Sequence, residues 1–179
     1  MPSEVTYRCD RLSRKEAQMQ KIPNLVTKVP RLAKPICLKE SDLVVEHNAI
    51  ASRRGKVLFG RIGKGLASSK VNVIREAIDA GLKPMLFLVR KGDEDFEFFR
   101  AEMSGIWGAD FTPDSTLCPS YYRELFSQIS LWIEIGQFSK VSSSVLERLR
   151  LSSTGRPILE LLGSQASLML ADSCDVPNR

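Results

Sequence analysis

Two groups of residues in this chain carry the chemistry of a recognition surface. From Arg53 to Lys70 stand six basic side chains, Arg53, Arg54, Lys56, Arg61, Lys64 and Lys70, with no acid among them. Cations gathered without counter-charge are what a polyanion backbone requires, although a solvated face has the same composition. The stretch "GKVLFGRIGKGLASSK" reads as a strand, a Gly/Lys turn and a helix N-terminus, which offers free backbone N–H groups and the positive end of a helix dipole to a phosphate. Arg53, Arg54, Lys56, Arg61 and Lys64 are the candidate phosphate ligands. The second group is aromatic. "PSYYRELFSQISLWIEIG" places Tyr121, Tyr122, Phe126 and Trp132 within residues 119–136, with Trp107 not far upstream. Rings at a strand-end loop can stack on a base taken out of its helix. The same rings can also form a satellite core.

Other chemistries find little support. The glycine-rich stretch lacks the G-x4-G-K-[ST] order of a Walker A loop, because Gly60 is followed by Arg61 and Ile62. The segment "EFFRAEM" has no lysine two residues after Glu97 or Glu102, so it does not make the acidic-lysine pair of a restriction-type nuclease. One histidine, His47, and no nucleophile motif leave little with which to assemble an active site. Cys9, Cys37, Cys118 and Cys174 show no metal-ligand spacing, so neither a metal nor another cofactor is expected. No apolar run approaches a membrane span, and the first residues lack a secretory signal, which places the expected site of action in the cytoplasm with no membrane partner.

The elements that must position these residues are legible in outline. Residues 1–42 hold nine Lys/Arg against five Asp/Glu and no glycine, and their stretch "KIPNLVTKVPRLAKPICLK" has prolines at 23, 30 and 35, so they read as an extended basic arm. From Leu43 the expectation is a strand in "DLVVEHN", a strand in "GKVLFGRIG", and a helix over 68–81 capped by Ser68 or Ser69. Val71, Ile74, Ala77 and Ile78 share a face of that helix, and Gly81 ends it. A hairpin follows, with strands over 85–89 and 96–106, then a loop and a strand over 130–138. That strand turns Leu131, Ile133 and Ile135 to one side and Trp132 and Glu134 to the other. Two short helices, the second beginning at Pro157, and a strand in "QASLMLA" complete the domain, with 172–179 as a flexible tail. The expected class is α+β, with a curved mixed or antiparallel sheet, or a partly closed barrel, flanked by short helices.

The order of these parts resembles the PUA-like superfamily, in particular its EVE and YTH branches. The resemblance rests on "MLFLVRKGDEDFEFFRAEMSGI", on the aromatic loop with Tyr121 and Tyr122, on "LWIEIGQFSKVSSSVLERLRL" and on "SSTGRPILELLGSQASLMLA", and covers residues 43–171. It implies a reader of a flipped, modified base, with DNA favoured over RNA. It also implies a nuclease or NTPase effector as fused module or partner, as in prokaryotic modification-dependent restriction systems. On that reading Tyr121, Tyr122, Trp107 and Trp132 bind the base. "GRIG" also resembles the GXXG loop of KH domains, a minor RNA-binding alternative. A protein–protein adaptor docking through its basic arm, and a small catalytic subunit, are the rival readings from other classes.

Overall fold

The structure, a computed structural model, describes residues 21–29, 40–92 and 94–174. Eight strands and three helices run in the order β1 (Lys21–Lys28), α1 (Glu40–Arg54), β2 (Val57–Ile62), α2 (Ser68–Asp79), β3 (Met85–Lys91), β4 (Phe96–Gly108), β5 (Ile129–Ile135), β6 (Ser139–Val141), α3 (Ser143–Leu146), β7 (Leu149–Leu151) and β8 (Leu168–Cys174). They form one mixed sheet in the order β2-β5-β4-β3-β1-β8-β7, with β6 added to β4. The class is α+β, and the sheet does not close. β1 and β3 pair in parallel, with α1, β2 and α2 as the crossover, and the other neighbours are antiparallel.

The hairpin, β2, α2 and β8 stand where the sequence pattern puts them. Several expectations are corrected. Residues 21–28 do not belong to an arm. They form β1, with Leu25 and Val26 fully buried between β3 and β8. Pro23 is tolerated because β1 meets β3 only from Leu25 onwards; before that, Met85 N donates to the Asn24 side chain at 2.8 Å. The rest of the expected arm, 1–20 and 30–39, lies outside the described residues, as does 175–179. Asp172 and Ser173 belong to β8 rather than to a tail.

The segment "DLVVEHN" is helical, not a strand. Leu43, His47 and Ala51 are buried at helical spacing, which outweighs the β-branched pair Val44 and Val45. α1 stops at Gly55, whose φ of 80° is open to glycine and whose N–H bonds Ala51 O at 2.8 Å. At the start of α2 the cap position is Ala67, which makes no side-chain cap, so Ser68 and Ser69 are not caps. Finally, β5 stops at Ile135, Ser139–Val141 forms the separate strand β6, and Leu149–Leu151 is a strand, β7, rather than part of a helix.

The main core takes residues from six strands, including Leu25, Phe59, Leu88, Ala101, Ile133 and Leu170, together with Leu43 of α1 and Ile74 of α2. A second cluster lies under α3 and the 3-10 turn Ile158–Leu161. A third, mostly aromatic, lies under the long connection from β4 to β5.

Candidate functional site

The aromatic residues do come together, but as a small core. Trp107 of β4 and Trp132 of β5 are cross-strand neighbours, as antiparallel pairing of consecutive strands predicts. The β4–β5 connection folds back through three 3-10 turns, Ser115–Leu117, Ser120–Tyr122 and Phe126–Gln128, over the outer face of β2 and β5. Tyr122 meets Trp132 edge-on at 5.7 Å, and Phe126 meets it at 5.6 Å. The Tyr122 hydroxyl donates to Gly60 O at 3.1 Å. Gly60 leaves room for this contact: a Cβ there would lie 2.7 Å from Ile129 Cδ1 and 3.1 Å from both the Trp132 and Tyr122 rings.

Tyr122 is 2% exposed and Trp132 1%, so neither presents a face to a base. The alternation in β5 places Trp132 opposite Leu131, Ile133 and Ile135, but the connection covers the side that sequence assigns to solvent. Tyr121 is half-buried, and so is Trp107, whose indole lies over Gly105 and stacks on Phe111 at 4.4 Å. Burial pushes the Tyr122 phenol up to about 12 and raises that of Tyr121 as well, so both stay protonated.

His47 was not among the sequence candidates, and it lies at the centre of this packing. It is fully buried, with the rings of Phe59, Phe138, Tyr122 and Tyr121 at 5.5, 5.8, 5.9 and 6.2 Å. Its Nδ1 lies 2.8 Å from Leu43 O, which can only accept, so Nδ1 carries the proton and Nε2 is left without a partner. Burial lowers its pKa to about 4, against the smaller raising effect of the Leu43 bond. His47 is therefore a neutral core residue. Cys118, in the same cluster, is pushed up to about 11 by burial and is not a reactive thiolate.

The basic residues separate into different environments. Arg53 and Arg54 end α1 and line a cleft with the 115–123 segment. Lys56 pairs with Glu134 at 2.8 Å on β5. Lys64 is exposed in the turn after β2. Arg61 is the exception among them: it is 4% exposed, and among the described residues its guanidinium makes one hydrogen bond, from a terminal nitrogen to Ser167 Oγ at 2.5 Å, while Nε has no partner. Burial alone lowers its pKa, with no carboxylate contributing.

Sequence reasoning also missed Lys28, at the end of β1, which donates to Ser164 O at 2.5 Å and is likewise lowered by burial. Lys28 and Arg61 thus bracket the 164–167 segment. Beside it lies a cavity of about 400 Å³ lined by Leu66, Lys70, Ser152, Ser153, Leu161 and Leu168, among others. Segments 28–29, 61–70 and 163–168 contain no acid, and the first turn of α2 has none either. The nearness of Lys28 to Arg61 has no sequence signal, because 32 residues separate them and β1 was not recognised.

Among the described residues no group of three or more His, Cys, Asp or Glu could hold a metal ion, and no helix is long and apolar enough to cross a membrane. Compared with family models, curated proteins and solved structures, the chain matches none.

Proposed function

We propose that the protein is a nucleic-acid-binding recognition module with a PUA-like fold, and that its phosphate-contacting surface is the end of the sheet marked by Lys28, Arg61, Lys64 and Lys70. The observation that carries this reading is Arg61, a buried guanidinium with no counter-charge among the described residues. An isolated buried ion is strongly unfavourable by itself, so buried charges are normally paired or ligand-bound. The field of Arg61 reaches the surface through a medium of low dielectric, where Lys28 and the N-terminus of α2 add to it and segments 28–29, 61–70 and 163–168 hold no acid to cancel it. A backbone phosphate seated there supplies the missing charge.

The adjoining cavity, with apolar walls from Leu66, Leu161 and Leu168 and polar groups from Lys70, Ser152 and Ser153, is of a size that takes a nucleotide-like ligand. It replaces the Tyr122–Trp132 pair as the recess for an unstacked base. Trp107 and Tyr121, half-buried at the edge of the aromatic cluster, do not line this cavity. The PUA-like reading draws on the parallel β1–β3 pair with its helical crossover and on a core fed by six strands. It carries with it a base, modified or unmodified, read in DNA rather than RNA on behalf of an effector.

The test is a salt series with the full chain against single- and double-stranded DNA and RNA, methylated and unmethylated. Binding should weaken steeply with salt, because each neutralised phosphate releases condensed counterions. Lys28→Ala and Lys64→Ala should each flatten the slope by about 0.7 to 0.9. No binding to any of these polymers, or a slope unchanged by both variants, overturns the reading and favours a protein-docking adaptor.

A further inference from the structure

A second cation-lined concavity lies elsewhere, between the C-terminal half of α1 and the 115–123 segment. It encloses about 620 Å³ and is lined by Arg53, Arg54 and Arg123, by the hydroxyl-bearing Ser115, Thr116 and Ser120, and by Glu46 among others. Arg53 and Arg54 stand at the beginning of β2 and Arg61 near its end. At about 3.3 Å per residue, the strand separates the two sites by about 17 Å.

The position of Arg53 and Arg54 has an ordinary partial explanation, since cations in the last turn of a helix interact favourably with its dipole. That account does not extend to Arg123, which belongs to another element and faces the same space. Arg53 Nε donates to Ala49 O at 3.1 Å, leaving the terminal nitrogens of its fork without a hydrogen bond, and none of the three arginines forms an ion pair among the described residues. The nearby carboxylate of Asp114 accepts from both the N–H and the hydroxyl of Thr116 at 2.8 Å, which holds the 115–117 turn and, with it, the cleft wall; it also feels the charge of Arg54 without forming an ion pair with it.

We propose that this cleft is a binding site for a small phosphate-bearing molecule of nucleotide size, distinct from the polymer surface. Guanidinium forks match phosphate oxygens in pairs, and three converging on one concavity suit a di- or triphosphate better than a single monoester. The volume lies in the range of small-ligand sites, between a helix and a folded-back loop. Ser115 and Ser120 add neutral donors to the phosphates, and Ile50 and Pro119 supply apolar wall to the remainder of the ligand. The site does not depend on the function proposed for the Arg61 end of the sheet.

The experiment is calorimetric titration of the full chain with pyrophosphate, ATP, ADP, AMP and adenosine, repeated with Arg123→Ala and Arg54→Ala. Both side chains are exposed, and thermal melting checks that each variant folds. Saturable binding of ATP and pyrophosphate with Kd below about 1 mM, weaker for AMP and absent for adenosine, is expected, with a loss of roughly tenfold or more in either variant. Arg61→Met should leave this binding unchanged. Failure of pyrophosphate and ATP to bind, or binding indifferent to Arg123→Ala, overturns the proposal. So does loss of oligonucleotide binding in Arg123→Ala without any effect on ATP, which would assign the cleft to the polymer.

Discussion

Replacing Arg61 by methionine should make the protein more stable and a poorer binder of polyanions. Methionine is unbranched like arginine though shorter, carries no charge, and has enough flexibility to fill much of the space left by the guanidinium. The wild-type residue is 4% exposed, and among the described residues its Nε has no partner and no carboxylate contributes to it, so the folded state carries an ion whose desolvation no counter-charge there offsets. The effective penalty for such an ion is several kcal/mol. Against it stands one charge-assisted hydrogen bond, to Ser167 Oγ, worth roughly 1.5–3 kcal/mol. The balance favours the variant by about 1–3 kcal/mol, and at roughly 2–4 °C per kcal/mol for a chain of this size, Tm should rise by at least about 2 °C. Thermal unfolding followed by circular dichroism, in buffer free of phosphate and nucleic acid, measures this directly. In parallel, anisotropy titrations with a single-stranded oligonucleotide across a salt series should show weaker binding and a slope reduced by about 0.7. A Tm at or below that of the parent protein refutes the argument that the charge is uncompensated. An unchanged slope refutes its connection to polyanion binding.

The other predictions follow from the same side-chain environments. Because the folded pKa of His47 is about 4 against an ordinary value of 6.5, the unfolded chain binds more protons between those limits, so His47 makes stability fall as pH drops from 6.5 towards 4. The loss it causes is about 3 kcal/mol over that window, and urea midpoints of His47→Leu should show a correspondingly weaker dependence on pH than the parent. Gly60→Ala should cost about 1–3 kcal/mol in chemical unfolding, since its Cβ would press on the Trp132 and Tyr122 rings; a neutral result would show that the aromatic cluster yields. A chain beginning at Leu43, the boundary read from the sequence, lacks β1 and should show no cooperative thermal transition, because Leu25 and Val26 are fully buried between two strands.

What the sequence showed, and what it hid, divides along the range of the interactions involved. The β3–β4 hairpin and α2 announce themselves through local periodicity: Val71, Ile74 and Ala77 repeat every three residues, and Met85–Lys91 meets Phe96–Gly108 across a turn. β1 carries no such mark, since Pro23 argues against a central strand and the pattern "PNLVTK" is too short to separate from an arm. Its place is set by β3 and by β8, whose partners lie about 60 and 145 residues away. α1 was hidden by Val44 and Val45, because the helical stripe of Leu43, His47 and Ala51 includes a histidine that pattern-reading counts as polar.

The aromatic cluster shows where such a reading fails, and why. Trp132 does stand on the opposite face of β5 from Leu131, Ile133 and Ile135, but a free face of a strand is a solvent face only if nothing folds over it. The β4–β5 connection has no long element of its own, so it must supply apolar groups for its own burial, and Phe111, Leu117, Tyr122 and Phe126 are those groups. Density of aromatics in a loop thus marks a loop that packs as readily as one that binds.

The same distinction governs the charges. Six cations within 18 residues resemble one surface, yet a strand is an extended spacer: β2 carries Arg54 and Lys64 to opposite ends, buries Arg61 between them, and aligns Lys56 with Glu134. Clustering along the chain becomes clustering in space only where the chain turns back on itself. Here the two places where cations converge each draw on a residue far away in sequence, Lys28 at one end and Arg123 at the other. It is those additions, rather than the run of basics itself, that give each site its chemistry.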